Sequence, residues 1–124
     1  EINEIIILQP TSPLRKSQDI DKAIKIFKKK KVNFLTSINK TKPVEWNHYL
    51  NKNKSIFNIV QKKIVNSQRS RQTYILNGAI YIYKKKSIFK RKTEIAYSYE
   101  MPQIRSIDID NLEEFNHVKY LISK

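Results

Sequence analysis

The 124-residue sequence has no cysteine and only one glycine, Gly78. Without cysteine the chain cannot form disulfides, thiolate zinc sites or a cysteine nucleophile, and this composition is compatible with the cytoplasm, where we expect the protein to be. A single glycine is very few for an α/β nucleotide-binding domain, which usually cradles phosphates with a glycine-rich loop. If the protein binds a nucleotide, that loop lies elsewhere, and we interpret the chain, which has no initiator methionine, as a fragment.

Long apolar runs and acidic residues are also scarce. No run approaches the roughly 18 residues needed to span a bilayer, and the N-terminus has no signal-peptide pattern. Acidic residues number 11 against 25 lysines and arginines, which gives a formal charge of +14. This excess would suit a nucleic acid or a polyanionic small ligand, but it is mostly lysine and is not interleaved with aromatic residues. We therefore interpret it as solvated surface and expect no nucleic-acid partner and no membrane partner.

The apolar pattern predicts one α/β domain, or a piece of a larger one. Ile5 to Leu8 is a short β-branched run typical of a central strand covered on both faces. A helix follows, capped by Ser17 or Asp19, with apolar residues at helical spacing and an end in the lysine run 28–31. Val32 to Ile38 predicts a second strand, so that strand, helix and strand form a unit of the kind that makes parallel sheets.

The rest of the chain alternates between polar and patterned stretches. Lys40 to Lys54 is polar and contains a proline, so we expect mostly loop there. The patterned stretches are short strand candidates at 56–60 and 64–65, the long β-like stretch from Tyr74 to Tyr83, an alternating strand at 95–99 and the apolar stripe of a closing helix from Leu112 to Ile122.

The first candidate for chemistry is Ser106-Ile107-Asp108-Ile109-Asp110. Apolar and polar residues alternate here, which predicts a half-buried strand with both carboxylates on one face. Their Cα atoms would then lie about 6.5 to 7 Å apart, close enough for the side chains to converge on one cation. Like charges so close repel each other, and a hard divalent cation such as Mg²⁺ removes that repulsion. A strand end with two solvated acids is the alternative.

Two further stretches offer polar groups to a ligand. The loop after the first strand lies where open α/β sheets bind ligands, and its residues Gln9, Ser12 and Arg15 can make polar contacts. The alternative is a rigid turn whose hydroxyls cap a helix. The pair Asn77-Gly78 either forms a hairpin turn or begins a continuous strand whose backbone a ligand approaches closely.

The polar loop that precedes Tyr74 holds Arg69 and Arg71. Guanidinium groups in such a loop can clamp a carboxylate or phosphate through two parallel hydrogen bonds. A solvated loop is the alternative interpretation.

Three sequence blocks stand in a fixed order: Leu8-Gln9-Pro10-Thr11-Ser12-Pro13-Leu14-Arg15, then Asn77-Gly78-Ala79-Ile80-Tyr81-Ile82, then Met101-Pro102 followed by Arg105-Ser106-Ile107-Asp108-Ile109-Asp110. Blocks of this length in this order are far more specific than a lone short motif. On these blocks, nearly the whole chain resembles the C-terminal part of the acylneuraminate cytidylyltransferase family, which includes the CMP-sialic acid synthetases.

The resemblance implies a fold and a reaction. The fold is a Rossmann-like α/β fold of the nucleotide-diphospho-sugar transferase type, here partial because the N-terminal nucleotide-binding segment is missing. Residues 40–75 would form a dimerisation or substrate excursion, and the enzyme would be a homodimer. The reaction joins CTP to a sialic acid or related nonulosonic acid and gives the CMP-sugar and diphosphate, with Mg²⁺ as the cofactor.

The resemblance also implies site residues. Asp108 and Asp110 match the family's catalytic, metal-binding pair, while Gln9 and Asn77 match positions that line the cleft for sugar and nucleotide. An amide suits such a position because it both donates and accepts hydrogen bonds. Together with the residue patterns above, the predicted substrate-binding set is Gln9, Ser12, Arg15, Gln68, Arg69, Arg71, Asn77 and Gly78.

The sequence departs from the family pattern in two places. A phosphate-binding segment rich in Arg, Gly, Ser and Lys is absent, so a chain beginning at Glu1 is expected not to make CMP-sugar alone. The family's Arg-x-Gln-Asp-Leu-Pro-like loop is replaced by Asn66-Ser67-Gln68-Arg69-Ser70-Arg71, which keeps Gln68 and leaves the two arginines as candidate partners of the sugar carboxylate. Three alternatives stay open: a cytidylyltransferase for another acid sugar such as 3-deoxy-octulosonate, a basic nucleic-acid-binding module, and a non-catalytic remnant.

Overall fold

The computed structural model describes residues 1–59, 71–88 and 96–124. The chain forms two compact units: unit 1 comprises residues 1–39 and 76–124, and unit 2 comprises residues 40–75. Within the described ranges the elements are strands β1 (Glu4–Ile7), β2 (Phe34–Thr41), β3 (His48–Leu50), β4 (Ile56–Asn58), β5 (Thr73–Lys84) and β6 (Tyr97–Glu100), helices α1 (Ser17–Lys30) and α2 (Leu112–Ile122), and 3-10 turns at Val44–Trp46, Lys85–Ser87 and Gln103–Arg105.

Unit 1 is built, among its described residues, on a four-stranded sheet in the order β1, β5, β2, β6. β1 pairs antiparallel with β5, with Ile6 opposite Ile82, and β2 pairs parallel with β6, with Ser37 opposite Tyr99. The sheet is therefore mixed, whereas the sequence predicted a parallel one. The difference arises because β5 inserts between β1 and β2 and runs antiparallel to β1. The α/β class is confirmed, and the Rossmann-like assignment stays a prediction.

The core of unit 1 lies between α1 and the sheet. Ala23 and Phe27, on the predicted apolar stripe of α1, are fully buried in one cluster with Leu35 of β2 and Ile80 of β5. The helix ends in the lysine run, as predicted, and Lys31 closes it with a left-handed backbone. Lysines in the last turn stabilise the helix because its C-terminal end carries partial negative charge.

The start of α1 differs from the prediction. The N-cap residue is Lys16 rather than Ser17 or Asp19. Asp19 lies at the third helical position, where its Oδ2 accepts a hydrogen bond from the Lys16 backbone N–H at 2.9 Å. A carboxylate at this position satisfies a donor that the helix itself leaves without a partner.

β1 lies at an edge of the described sheet, and the prediction of a strand covered on both faces is wrong. Its residues Ile6 and Ile7, with Leu8 just after it, are 36 to 40% exposed. Both edge strands and doubly covered strands favour β-branched residues, so a short apolar run cannot distinguish them.

Unit 2 contains, among its described residues, an antiparallel hairpin of β3 and β4. Tyr49 pairs with Phe57 across it, and the two ring centroids lie 5.5 Å apart. The chain turns between the strands at Lys54, whose φ of +65° is left-handed. Both rings are more than half exposed, so the hairpin presents an aromatic surface rather than a buried core.

The remaining element predictions divide three ways. The predicted loop at 40–54 is wrong in part, because it contains β3 and a 3-10 turn. The strand candidate at 56–60 is confirmed as β4, and the strand at 95–99 is confirmed from Tyr97 onward. The candidate at 64–65 lies outside the described residues.

α2 confirms the predicted closing helix. Asn111 caps it, since its Oδ1 accepts a hydrogen bond from the Glu114 backbone N–H at 2.9 Å. The apolar stripe of α2 is only partly buried: Val118 is buried, whereas Leu112 and Ile122 are exposed. Over the described ranges, neither this helix nor α1 is apolar and long enough to traverse a bilayer.

Candidate active site

The loop from Gln9 to Arg15 leaves the end of β1 as two successive tight turns. The Ser12 N–H donates to the Gln9 carbonyl at 3.3 Å, and the Arg15 N–H donates to the Ser12 carbonyl at 3.4 Å. Arg15 then fastens the loop to β5, because its Nη1 donates to the carbonyls of Gln9, at 3.1 Å, and of Ala79, at 2.7 Å. The loop is thus held in a defined position by a charged donor on backbone acceptors.

Gly78 lies within β5, so the hairpin-turn interpretation of Asn77-Gly78 is wrong and the continuous strand is confirmed. Its φ is +69°, and a Cβ added there would lie 2.5 Å from Oε1 of Gln9. The group that closely approaches this glycine is therefore the Gln9 amide. Glycine is required on both counts, since L-residues rarely adopt this φ and a side chain would displace Gln9.

Asn77 joins three segments of unit 1. Ser37 Oγ, on β2, donates to Asn77 Oδ1 at 2.5 Å, and the Asn77 amide nitrogen donates to Ser106 Oγ at 3.2 Å. Ser106 Oγ donates in turn to the Pro102 carbonyl at 2.7 Å. All three hydrogen-bonded side chains are buried. Asn77 Oδ1 also accepts from the Ala79 N–H at 3.2 Å, so much of its hydrogen-bonding capacity is used within unit 1, and one bond attaches Ser106. The predicted contact of Asn77 with substrate stays a prediction.

The segment Ser106–Asp110 has no regular secondary structure, so the predicted strand is wrong. It follows Pro102 and a 3-10 turn, and the Ile109 N–H bonds outside any ladder, to the Thr11 carbonyl at 2.9 Å. This bond brings the acid-bearing segment against the loop that follows β1. The two predicted halves of the site are thereby adjacent.

Two buried oxygens at this junction have no hydrogen-bond partner among the described residues: Asp108 Oδ1 and Ser12 Oγ. Buried polar atoms are almost always paired, so each of these is open to another group. The second acid, Asp110, is exposed, and its backbone N–H donates to Glu114 Oε2 at 2.6 Å.

These donors fit Mg²⁺ by type and by number. Among the described residues no group of three or more His, Cys, Asp or Glu side chains could hold a metal. Mg²⁺ does not need such a cage, because it is typically bound by one or two carboxylates while substrate phosphates and water supply the other ligands. Asp108 and Asp110 offer that number of hard oxygen donors.

A partly buried ion pair lies beside the same segment, and its Arg105 side chain is 25% exposed. The carboxylate of Asp19 is fully buried and accepts Arg105 Nε at 2.9 Å, Arg105 Nη2 at 2.8 Å and the Tyr99 hydroxyl at 2.8 Å. Arg105 directly precedes Ser106, so this bidentate pair connects α1 to the start of the acid-bearing segment. We call Asp19, Tyr99 and Arg105 the Asp19 cluster.

The protonation states in the Asp19 cluster follow from its contacts. Burial raises the pKa of Asp19, but hydrogen bonds from Arg105, the Lys16 N–H and Tyr99 outweigh burial and lower this pKa to about 2. Burial and the hydrogen bond to Asp19 raise the pKa of Tyr99 to about 12. The hydrogen bond to Asp19 also raises the pKa of Arg105. The pair is therefore ionised across the neutral range.

The predicted arginine loop is only partly within the structure. Gln68 and Arg69 lie outside the described residues, and Arg71 is exposed. Their role as partners of a sugar carboxylate stays a prediction, as does the substrate contact of Arg15.

Sequence patterns missed Ser37, Ser106 and the Asp19 cluster as organising residues. Ser37 was hidden as one hydroxyl within a strand, and Asp19 was interpreted only as a helix cap. Arg105 and Asp19 are 86 residues apart in the chain, so no local pattern connects them.

Comparison with known proteins gives one consistent result. No family model matches the chain. N-acylneuraminate cytidylyltransferases of Streptococcus agalactiae are 31% identical over 120 residues in serotype III (strain NEM316) and serotype Ia (strain A909), and 30% identical in serotype V (strain 2603 V/R). Each alignment covers 93% of this chain and 29% of the relative, so the chain spans less than a third of the length of these proteins. The resemblance to the acylneuraminate cytidylyltransferase family is thereby confirmed over nearly the whole chain.

Proposed function

We propose that this chain is part of a cytidylyltransferase that activates a sialic acid or a related nonulosonic acid with CTP. The curated relatives carry that activity in their names, and their similarity extends over 93% of the chain. Because the chain spans 29% of their length, the proposal concerns the full-length protein. The 124 residues alone are expected to be inactive.

In the proposed reaction, the anomeric hydroxyl oxygen of the acid sugar attacks the α-phosphorus of CTP in line. The new P–O bond forms as the bond to the bridging oxygen of the β-phosphate breaks, diphosphate leaves, and the hydroxyl proton passes to solvent or a base. Reactions of this type depend mainly on positioning and on neutralisation of phosphate charge.

The observation that carries the proposal is the buried Oδ1 of Asp108, which has no partner in the described part of the chain and lies beside the loop that follows β1. A carboxylate oxygen in this state is costly without a cation, so it is suited to hold one. We assign Asp108 and Asp110 as the residues that would hold Mg²⁺. When bound there, the ion supplies positive charge against the triphosphate.

Neighbouring residues of the loop would contact the substrate. Ser12 presents a buried hydroxyl oxygen without a partner, and the Gln9 amide lies against Gly78. Such groups can orient a sugar or nucleotide through hydrogen bonds, while Arg15 holds their backbone in place.

We also propose that unit 2 contributes to a homodimer. Four apolar side chains of its hairpin are 52 to 70% exposed within this chain: Tyr49, Leu50, Ile56 and Phe57. Tyr49 and Phe57 share one face of the hairpin, and Leu50 and Ile56 share the other. Exposed apolar side chains in such a cluster are typical of association sites.

The test is diphosphate release from CTP by the full-length protein, with a panel of nonulosonic acids that includes 3-deoxy-octulosonate. Release that requires both one acid of the panel and Mg²⁺ is expected, and that acid identifies the substrate. Omission of the sugar and addition of EDTA are the controls. If a folded full-length protein releases no diphosphate with any acid, the proposed activity is wrong and a non-catalytic remnant takes its place.

A further inference from the structure

The Asp19 cluster connects both halves of the candidate site. Asp19 lies on the first turn of α1, which the Gln9–Arg15 loop enters directly. Its partner Arg105 lies at the end of the 3-10 turn that leads into the acid-bearing segment. The hydroxyl of Tyr99, on β6, also donates a hydrogen bond to the Asp19 carboxylate.

The acid-bearing segment has three attachments to the rest of unit 1. Arg105 is bound to Asp19, Ser106 to Asn77, and the Ile109 N–H to the Thr11 carbonyl. Asp108 lies between the second and third of these. Only the first attachment is an ion pair, and its two parallel hydrogen bonds fix the orientation of the guanidinium plane as well as its distance.

Stability alone is a weak explanation for an ion pair whose carboxylate is fully buried and whose guanidinium is mostly buried. The desolvation of two charges offsets much of their attraction, and well-packed apolar residues often replace such pairs without loss. What apolar residues cannot supply is the directional, two-point connection between α1 and the residue before Ser106.

We infer that Asp19 and Arg105, supported by Tyr99, are positioning residues that hold Asp108 in the geometry needed for metal binding. This inference rests on the proposed function. The residues it names are not themselves metal ligands, since the Asp19 carboxylate is fully buried and already accepts hydrogen bonds from Arg105 and Tyr99.

Hydrogen exchange in the full-length protein tests the positioning role without any need for activity. In Arg105→Lys, which keeps the charge and loses the two-point geometry, the Ile109 amide should exchange about 10-fold faster. Amides of α1 around Phe27 should change less than about 2-fold. Equal acceleration in both places, or none at Ile109, would show that the cluster only stabilises the fold.

Metal binding is the second measurement, with Mn²⁺ alone as the probe and its free electron-paramagnetic-resonance signal as the readout. Arg105→Lys should weaken Mn²⁺ binding about 10-fold, the usual effect of losing a partner that orients a metal ligand. Tyr99→Phe keeps the ion pair and should show a smaller change in the same direction. Unchanged binding in Arg105→Lys, with Asp108→Asn abolishing it, would overturn the inference.

The matched control is Asp21→Asn, because Asp21 is an exposed carboxylate on the same helix turn as Asp19. It should leave both exchange and Mn²⁺ binding unchanged. Failure of the proposed function and failure of this inference are distinguishable. Absence of diphosphate release from the wild type would refute the proposed function, whereas exchange at Ile109 would still report on the Asp19 cluster.

Discussion

The two units differ in what they bury, although both expose some large apolar side chains. Unit 1 buries polar groups such as Asp19 and Asn77 and gives them hydrogen-bond partners within the chain. Unit 2 leaves large apolar groups such as Tyr49 and Phe57 exposed. Buried, fully paired polar groups specify one geometry, whereas exposed apolar surface gains free energy when another surface covers it. Unit 1 is therefore organised for precise placement, and this difference supports the proposal that unit 2 serves association.

The largest expected effect comes from one of the two exceptions in the described part of unit 1, Asp108, whose buried Oδ1 has no hydrogen-bond partner there. In the full-length enzyme, Asp108→Asn should lower turnover about 100-fold or more, because it removes a carboxylate that would hold the cation needed to neutralise the triphosphate. Asp110→Asn should act in the same direction. The measurement is diphosphate release at saturating Mg²⁺, with circular dichroism to verify folding. Near-wild-type turnover in both variants would refute the metal assignment.

A charge on the exposed surface of unit 2 should break association without affecting unit 1. Phe57→Asp is expected to raise the dimer dissociation constant of the full-length protein about 30-fold, since buried aromatic residues dominate interface energies. Sedimentation equilibrium measures the constant. Lys52→Asp, an exposed change on the same hairpin, is the control. Equal constants for the two variants would place the interface elsewhere.

Acid should weaken unit 1 through Asp19. Its folded-state pKa of about 2 is below the ordinary aspartate value of 3.8, so its contribution to stability is present above about pH 4 and is lost as the pH falls towards 2. The contribution is about 2 kcal/mol. Urea unfolding at pH 7, 4 and 2 measures it, by comparison of wild type with Asp19→Asn. The difference between the two proteins should shrink at low pH, and a difference that does not depend on pH would contradict the prediction.

The smallest expected effect is at Gly78. Gly78→Ala should lower the free energy of unfolding by about 1 kcal/mol because alanine is strained at positive φ. Displacement of the Gln9 amide should separately weaken substrate binding, which would raise KM. In a Gln9→Ala background the stability cost should persist while the KM effect of Gly78→Ala disappears. A KM effect that survives in that background would show that Gln9 is not the group displaced.

Local patterns predicted much of unit 1. Apolar spacing located α1 with its buried Ala23 and Phe27, and the long β-branched and aromatic stretch located β5. These elements are determined by residues close in sequence, whose period matches the geometry of a helix or strand. The mixed sheet was not predicted, because the placement of β5 beside β1 depends on pairing across more than 70 residues, as at Ile7 and Tyr81.

The segments of the candidate site were predicted, but their geometry was not. The loop that carries Gln9 and Ser12 does lie against the segment that carries Asp108, yet the acids lie on an irregular segment rather than on a strand. The alternation along Ser106–Asp110 is not matched by alternating burial, since polar Ser106 is buried while Ile107 and Asp108 are both half-buried. Nor can alternation show whether a neighbouring strand is present to form a ladder. Polar pairs that are far apart in the sequence, such as Asp19 with Arg105, produce no periodic pattern in it.

Arg15 has a consequence that reaches beyond the contacts it makes. Its hydrogen bonds to the Gln9 and Ala79 carbonyls fix a full positive charge at the candidate site without consuming it, since neither acceptor is an anion. Together with the chain's excess of lysine, this charge would draw a polyanion such as a nucleoside triphosphate towards the loop before any contact forms. The rate at which such a ligand meets the site should then fall as ionic strength rises. Arg15 would therefore speed ligand association as well as hold the loop in place.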